Sequence, residues 1–341
     1  MAGRRYVPNP APRQTRTTVR GGATHVPRPA HAPVASTAEA RVYAPADPVH
    51  LGLTLGPLRR GPADPTFRTT PDGSVWRTSR TPEGPATLRV TQRADGTVEA
   101  TAWGPGAQWF LDQLPSLLGA SDDPSAFEPR HRLVAQTARR RQGLRLTRTG
   151  LVLESLIPSI LEQKITTDEA YRAWRLLLHK YGDPAPGPAG GDLRMRVVPD
   201  PYTWTRIPSW EWHKAGVDNK RASTILRAAK VARRLEEAAH MDPPAARARL
   251  ELVPGIGPWT SAETIQRTNG APDEVTTGDL HLPGIVGHAL AGDRDATDAD
   301  MLDLLAPYEG QRHRAARLIL LSGATPPRRQ PKMRRVNIAE W

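Results

Sequence analysis

The stretch Leu252-Val253-Pro254-Gly255-Ile256-Gly257-Pro258-Trp259-Thr260 decides how the rest of this sequence is read. Two glycines one residue apart permit a tight hairpin and let bare backbone N–H groups approach a phosphate. Pro258 stands where a helix would begin, because proline's fixed φ suits the first helical position. The N-terminus of that helix adds partial positive charge at the same point. Upstream, Asp242-Pro243-Pro244 pairs a capping carboxylate with proline and predicts a helix running to about Leu252. The unit is helix, hairpin, helix, and Pro254, Gly255, Ile256 and Gly257 form a phosphate cradle that reads no base sequence.

Around this unit the pattern is helical from about Phe127 onward. Leu153, Leu156, Ile157, Ile160 and Leu161 form one apolar stripe, with Pro158 bending or restarting the helix. The polar turn Glu162-Gln163-Lys164-Ile165 follows. Thr166 and Glu169 then have capping-box spacing, opening a helix with Ala170, Tyr171, Trp174, Leu177 and Leu178 inward and Gly182 at its end. The Pro/Gly-rich stretch 182–191 predicts a loop, and Lys220–Leu235 a basic amphipathic helix. Beyond the hairpin, Val275-Thr276-Thr277-Gly278-Asp279-Leu280-His281 places a carboxylate after a glycine, a pattern that also suits a plain helix cap.

Before Phe127 the character differs. Residues 1–39 carry Arg4, Arg5, Arg13, Arg16, Arg20 and Arg28 among prolines and small polar residues, with no acid before Glu39. Such a segment buries too little apolar surface to offset its ordering entropy and is expected to be a disordered basic tail. Residues 40–126 predict a small antiparallel β-rich domain, with strands at Val49–Leu55, Gly73–Arg77, Ala86–Gln92 and Gly96–Thr101 and a helix over Gln108–Leu118. The expected class is α+β: that domain, a two-subdomain helical core over 127–330, and a tail at 331–341.

Composition narrows the partner. The 341 residues hold 47 Lys and Arg against 35 Asp and Glu, a net charge of +12, which suits a polyanion that releases condensed counterions on binding. The absence of cysteine excludes disulfides, thiolate zinc sites and cysteine-ligated iron–sulfur clusters. No run approaches the roughly 20 apolar residues of a membrane span, and no apolar signal core opens the chain. A cytoplasmic, nucleoid-associated monomer is the expectation.

On the hairpin, the Asp279 segment and the turn Ile160-Leu161-Glu162-Gln163-Lys164-Ile165, the sequence resembles the helix-hairpin-helix (HhH-GPD) DNA glycosylases, most nearly the 3-methyladenine DNA glycosylase II (AlkA-like) group. The likeness spans Gln108 to Pro326 and, more weakly, the β-rich domain. It implies a monofunctional enzyme of base excision repair that hydrolyses the N-glycosidic bond of alkylated, cationic purines in double-stranded DNA containing damaged bases. Asp279 would stabilise the oxocarbenium-like sugar and orient water. Gln163 and Lys164 would fill the hole left by the flipped base, and Trp259, Glu263 and Gln311 would line the base pocket. The carbonyls of Glu251, Val253 and Ile256 would hold a structural K+ or Na+, with no other cofactor.

Two features of the resemblance matter: a match to the AlkA-like group at position 259 and a departure at two pocket positions. Position 259 is Trp where bifunctional relatives carry a Schiff-base lysine, and no lysine lies between Lys230 and Lys332, so the covalent route lacks its nucleophile. Glu263 and Gln311 stand where some AlkA-like pockets are aromatic, so the lesion does not transfer. His281 and His313 flank the expected site as ordinary polar residues or as proton shuttles. A non-catalytic hairpin protein that binds DNA, or a glycosylase for another lesion, remains the alternative.

Overall fold

The computed structural model describes residues 37–327. Its strands β1 (Glu39–Tyr43), β2 (Phe67–Thr69), β3 (Val75–Thr81), β4 (Gly84–Gln92) and β5 (Val98–Trp103) form one antiparallel sheet in the order β1-β5-β4-β3-β2. Alternation sets its inner face: Ala86, Leu88 and Val90 of β4 lie beside Ala102 and Ala100 of β5, all buried. That face packs on α1 (Leu51–Leu55), α2 (Ala107–Asp112) and α3 (Leu114–Leu117).

Three expectations need correction here. The strand predicted at Val49–Leu55 is largely helix α1, because Leu51, Thr54 and Leu55 are buried at helical spacing and the His50 ring accepts from the Leu53 N–H. The single helix predicted over Gln108–Leu118 breaks at Gln113, with Pro115 at the start of α3 unable to continue a hydrogen-bond ladder. Glu39, assigned to the tail, already pairs with Ala102 in β1. The rest of that tail before residue 37, and the tail at 331–341, lie outside the described residues.

The stretch predicted as a loop after Gly182 covers the other face of the sheet. It contains β6 (Asp183–Pro184) and the one-turn α7 (Pro188–Gly191), and β7 (Arg196–Val197), just beyond it, pairs with β6. Thr78, Arg80 and Thr87 donate hydrogen bonds to the carbonyls of Arg196, Val198 and Pro186. Trp76 packs on Met195 and Val197 and stacks on Trp103 at 5.5 Å between ring centres.

The helical part has two cores. The larger joins α5 (Val152–Leu161), α6 (Thr167–Tyr181), α8 (Pro201–Arg206), α9 (Ser209–Lys214), α10 (Asn219–Lys230), α11 (Ala232–Glu236), α12 (Pro243–Glu251) and α13 (Pro258–Thr268). The capping box at Thr166 and Glu169, the Asp242 cap of α12 and the Pro258 start of α13 all occur as the sequence predicts. The predicted helix Lys220–Leu235 is interrupted at Val231, between α10 and α11. The second core joins α4 (Arg132–Arg140) to α14 (Leu282–Ala291), α15 (Asp298–Leu305) and α16 (Arg312–Ser322). Residues 269–281 cross from one core to the other and carry Asp279. Among the described residues no helix is long and apolar enough to cross a membrane.

Candidate active site

The hairpin is braced from behind. Gly255 has φ +99°, and a Cβ there would stand 2.2 Å from Thr224 Oγ1 on α10, so only glycine fits. Arg227 of α10 donates from Nε to the Pro254 carbonyl at 2.9 Å. Val253 and Ile256 are buried beneath the turn. Gly257 differs: its φ is −119°, and nothing lies within 4 Å of a Cβ built there. The front of the hairpin is thus open backbone at the N-terminus of α13. The Val253 carbonyl accepts from the Ile256 N–H at 3.0 Å, whereas among the described residues no loop or cap hydrogen bond reaches the carbonyls of Glu251 and Ile256. Those oxygens keep free lone pairs, which fits a monovalent cation.

Asp279 faces the start of α13. Its Oδ2 accepts from Trp259 Nε1 at 2.9 Å, and its Oδ1 accepts from the backbone N–H groups of His281 and Leu282, both at 2.8 Å. The carboxylate therefore caps the turn into α14 and also touches the hairpin helix. Gly278, at φ +76°, is pinned by donating its N–H to Asp298 of α15. Leu280, beside the carboxylate, is 82% exposed.

The turn after α5 comes to the same end of α13. Gln163 donates from Nε2 to the Gly255 carbonyl at 2.9 Å and to Thr260 Oγ1 at 2.8 Å. Its amide thereby ties the turn to the hairpin. Lys164 stands exposed at the tip with φ +56°, a left-handed conformation that costs a non-glycine residue about 1–3 kcal/mol.

One turn along α13 from Trp259, Glu263 is ion-paired with Arg267 at 2.7 Å and accepts from Thr276 Oγ1 at 2.9 Å. Arg267 also donates to the Pro57 carbonyl at 3.0 Å. Burial works against its charge, but Glu263 and Glu162 more than offset this and hold its pKa above the usual arginine value. Gln311 does not join this group: its amide accepts from Arg314 Nε at 2.8 Å and points to the Asp123 carbonyl. The α16 residues that feel the charge of Arg267 are His313 and Arg317. Burial pushes the His313 pKa well below the ordinary value, with Arg317, Arg267 and Arg314 acting in the same direction. His281 contributes its backbone N–H to Asp279.

Arg267 could have been found in the sequence, since 259, 263 and 267 recur at i, i+4 along one helix face. Arg317 could not, because its neighbours come from α1 and α13.

Solved structures share this arrangement of sheet and helices. A 3-methyladenine DNA glycosylase from Archaeoglobus fulgidus superposes with a TM-score of 0.67 at 17% identity, over 83% of this chain and 98% of its own. MBOgg1 in complex with a low-affinity DNA ligand gives 0.67 at 17% identity, over 84% and 98%. The fold is that of the helix-hairpin-helix DNA glycosylases. An apo 8-oxoguanine glycosylase/lyase from Clostridium acetobutylicum shows the same glycosylase fold at 0.65 and 11% identity, over 84% of this chain and 97% of its own. No protein-family model and no curated protein matches the sequence.

Proposed function

We propose that the protein is a monofunctional DNA glycosylase that hydrolyses the bond between a damaged base and its deoxyribose in duplex DNA, as the first step of base excision repair. The observation that carries the reading is the Asp279 carboxylate, held by Trp259 and two backbone N–H groups where the open hairpin meets α13. A duplex phosphate seated on Gly257 and the α13 N-terminus brings a flipped nucleotide's sugar to that carboxylate. As the C1′–N bond lengthens, positive charge grows on the sugar and Asp279 stabilises it. The base departs with the bonding electrons, and water adds to C1′ and gives up a proton that balances the charge on the departed base.

Trp259 occupies the position where a lyase would need an amine, and it spends its N–H on Asp279. Among the described residues no lysine pairs with Asp279, so the sugar is released to water and not to an enzyme nitrogen. Lys164 is the residue of the α5–α6 turn that reaches into the duplex, while Gln163 sets the position of that turn against the hairpin. A monovalent cation held by the carbonyls of Glu251, Val253 and Ile256 would add positive charge behind the phosphate.

The expectation of cationic alkylpurines drew on the π face of Trp259 and the charge of Glu263. Arg267 neutralises that charge, so Glu263 supplies no free attraction for a cation. The test is direct: duplexes carrying single lesions are incubated with the full chain, and released bases are identified by mass spectrometry. Free base and an intact, alkali-labile strand are expected. Tight duplex binding with no base released from a broad lesion panel would identify a non-catalytic DNA-binding protein.

A further inference from the structure

The α13 face that begins at Trp259 has chemistry of its own. Trp259, Glu263 and Arg267 are each partly exposed, whereas Thr260, Ser261, Thr264, Ile265 and Thr268 around them are buried. Arg267 turns back along the helix, donating to both the carbonyl and the carboxylate of Glu263. Its guanidinium is thus level with Glu263, about one 5.4 Å helical turn from the indole that touches Asp279. That spacing matches a base extending from a sugar held at the carboxylate.

Opposite stands α16. His313 is 9% exposed, yet neither ring nitrogen has a hydrogen-bond partner among the described residues, and neither is among the sealed, unpaired atoms. An imidazole with solvent access and no protein partner has its hydrogen-bonding capacity available to a ligand. The charged neighbours that act on it are all arginines: Arg317, Arg267 and Arg314. Two of these are neutralised locally, Arg267 by Glu263 and Arg314 by Asp122. Arg317 has only the Leu53 carbonyl, at 2.8 Å, and among the described residues no carboxylate within ion-pair distance. The facing sides of α13 and α16 keep a surplus of positive charge and donors.

We propose that the partly exposed side chains of α13 and α16 receive the flipped base between them and select neutral bases with a carbonyl oxygen on their outer edge, such as oxidised or deaminated bases, and disfavour cationic alkylpurines. The proposal rests on the glycosylase reading of Asp279. Arg317 donates to the carbonyl, and the neutral imidazole of His313 pairs with the adjoining edge, since it can both donate and accept. A methylated purine cation meets the unpaired Arg317 as a like charge.

Single-turnover release is measured from identical duplexes carrying 8-oxoguanine, hypoxanthine, uracil, N7-methylguanine or N3-methyladenine. The informative pair is 8-oxoguanine and N7-methylguanine, which share a carbonyl but differ in charge. At least one neutral base is expected to leave about tenfold faster than either methylpurine. Arg317→Gln and His313→Asn are expected to slow that base by about tenfold or more, with unchanged affinity for undamaged duplex and a native circular dichroism spectrum. Arg317→Lys, which keeps the charge and a donor, restores part of the rate if the larger change disturbs folding. Methylpurines released as fast as any neutral base, or variants that slow all lesions equally, overturn the proposal while the glycosylase reading stands. No base released by the wild type overturns that reading as well.

Discussion

The hairpin at the start of α13 and the facing sides of α13 and α16 further along that helix are built in opposite ways. The hairpin presents backbone: its glycines, the start of α13 and the brace from Thr224 and Arg227 create an anion seat with no side chain at its front. The facing sides of α13 and α16 present charged side chains, held in ion pairs with one arginine left over, which donates to the Leu53 carbonyl of α1. Backbone chemistry is the same for every nucleotide, whereas side-chain chemistry discriminates. On the proposed reading one helix carries a general DNA contact at its N-terminus, beside Trp259 and Asp279, and a lesion-specific contact one turn further along.

Asp279→Asn separates the two regions most sharply. The amide keeps the shape and part of the cap but loses the charge facing the sugar, so base release should fall by about 10²–10³-fold or more while lesion-duplex affinity stays near wild type. Near-normal turnover in single-turnover assays would move the chemistry to another residue. Borohydride added during turnover of the wild type should trap no protein–DNA adduct; a trapped lysine peptide found by mass spectrometry would reverse the monofunctional assignment.

Within the hairpin the two glycines should fail differently. Gly255→Ala forces a positive φ and a clash with Thr224, and should lower stability by about 1–3 kcal/mol. Gly257→Ala has room inside the protein, so its melting temperature should hold. Its methyl instead enters the phosphate seat and weakens every duplex alike, with a shallower salt dependence. Selective loss of one lesion by this variant would erase the division between the two regions.

Where α13 and α16 face each other, pH provides the probe. His313 has its folded pKa pushed well below 6.5 by burial and the arginines, so the unfolded chain takes up a proton that the folded chain refuses. Its contribution to stability is full above pH 6.5 and is lost as pH falls below that value toward the folded pKa. Denaturant titrations should show this decline for the wild type and a flatter profile for His313→Asn. An unchanged slope would place the imidazole in solvent.

The smallest effect is expected at the wedge turn. Lys164→Gly removes a left-handed strain and should stabilise the fold by about 0.5–1 kcal/mol, or be neutral if chain entropy cancels it. On the proposed reading it should still reduce base release, because the side chain offered to the duplex is gone. Faster release would assign the turn no role in holding the flipped state.

Local chemistry made much of this molecule legible. The Asp242 cap, the Thr166 and Glu169 box, Pro258 and the paired glycines act over a few residues, and their structures agree with the reading. Val49–Leu55 misled because a short apolar run suits strand and helix equally, and burial against the sheet chose the helix. The one-residue break at Val231 was equally hidden, since helix formers flank it, whereas Pro115 was the visible signal for the break at Gln113.

Residue type and spacing by themselves determined the helix-hairpin-helix unit, the lack of cysteine ligands, the tryptophan at 259 and the candidate carboxylate at 279, because each depends on neighbours along the chain. Only the tertiary structure decided that Trp259 donates to Asp279, that Gln163 braces the hairpin, that Gln311 is spent on Arg314, and that His313 and Arg317 stand beside Arg267. Those relations join segments far apart in sequence, and charge pairing between helices is set by which helices meet, not by what lies one turn away.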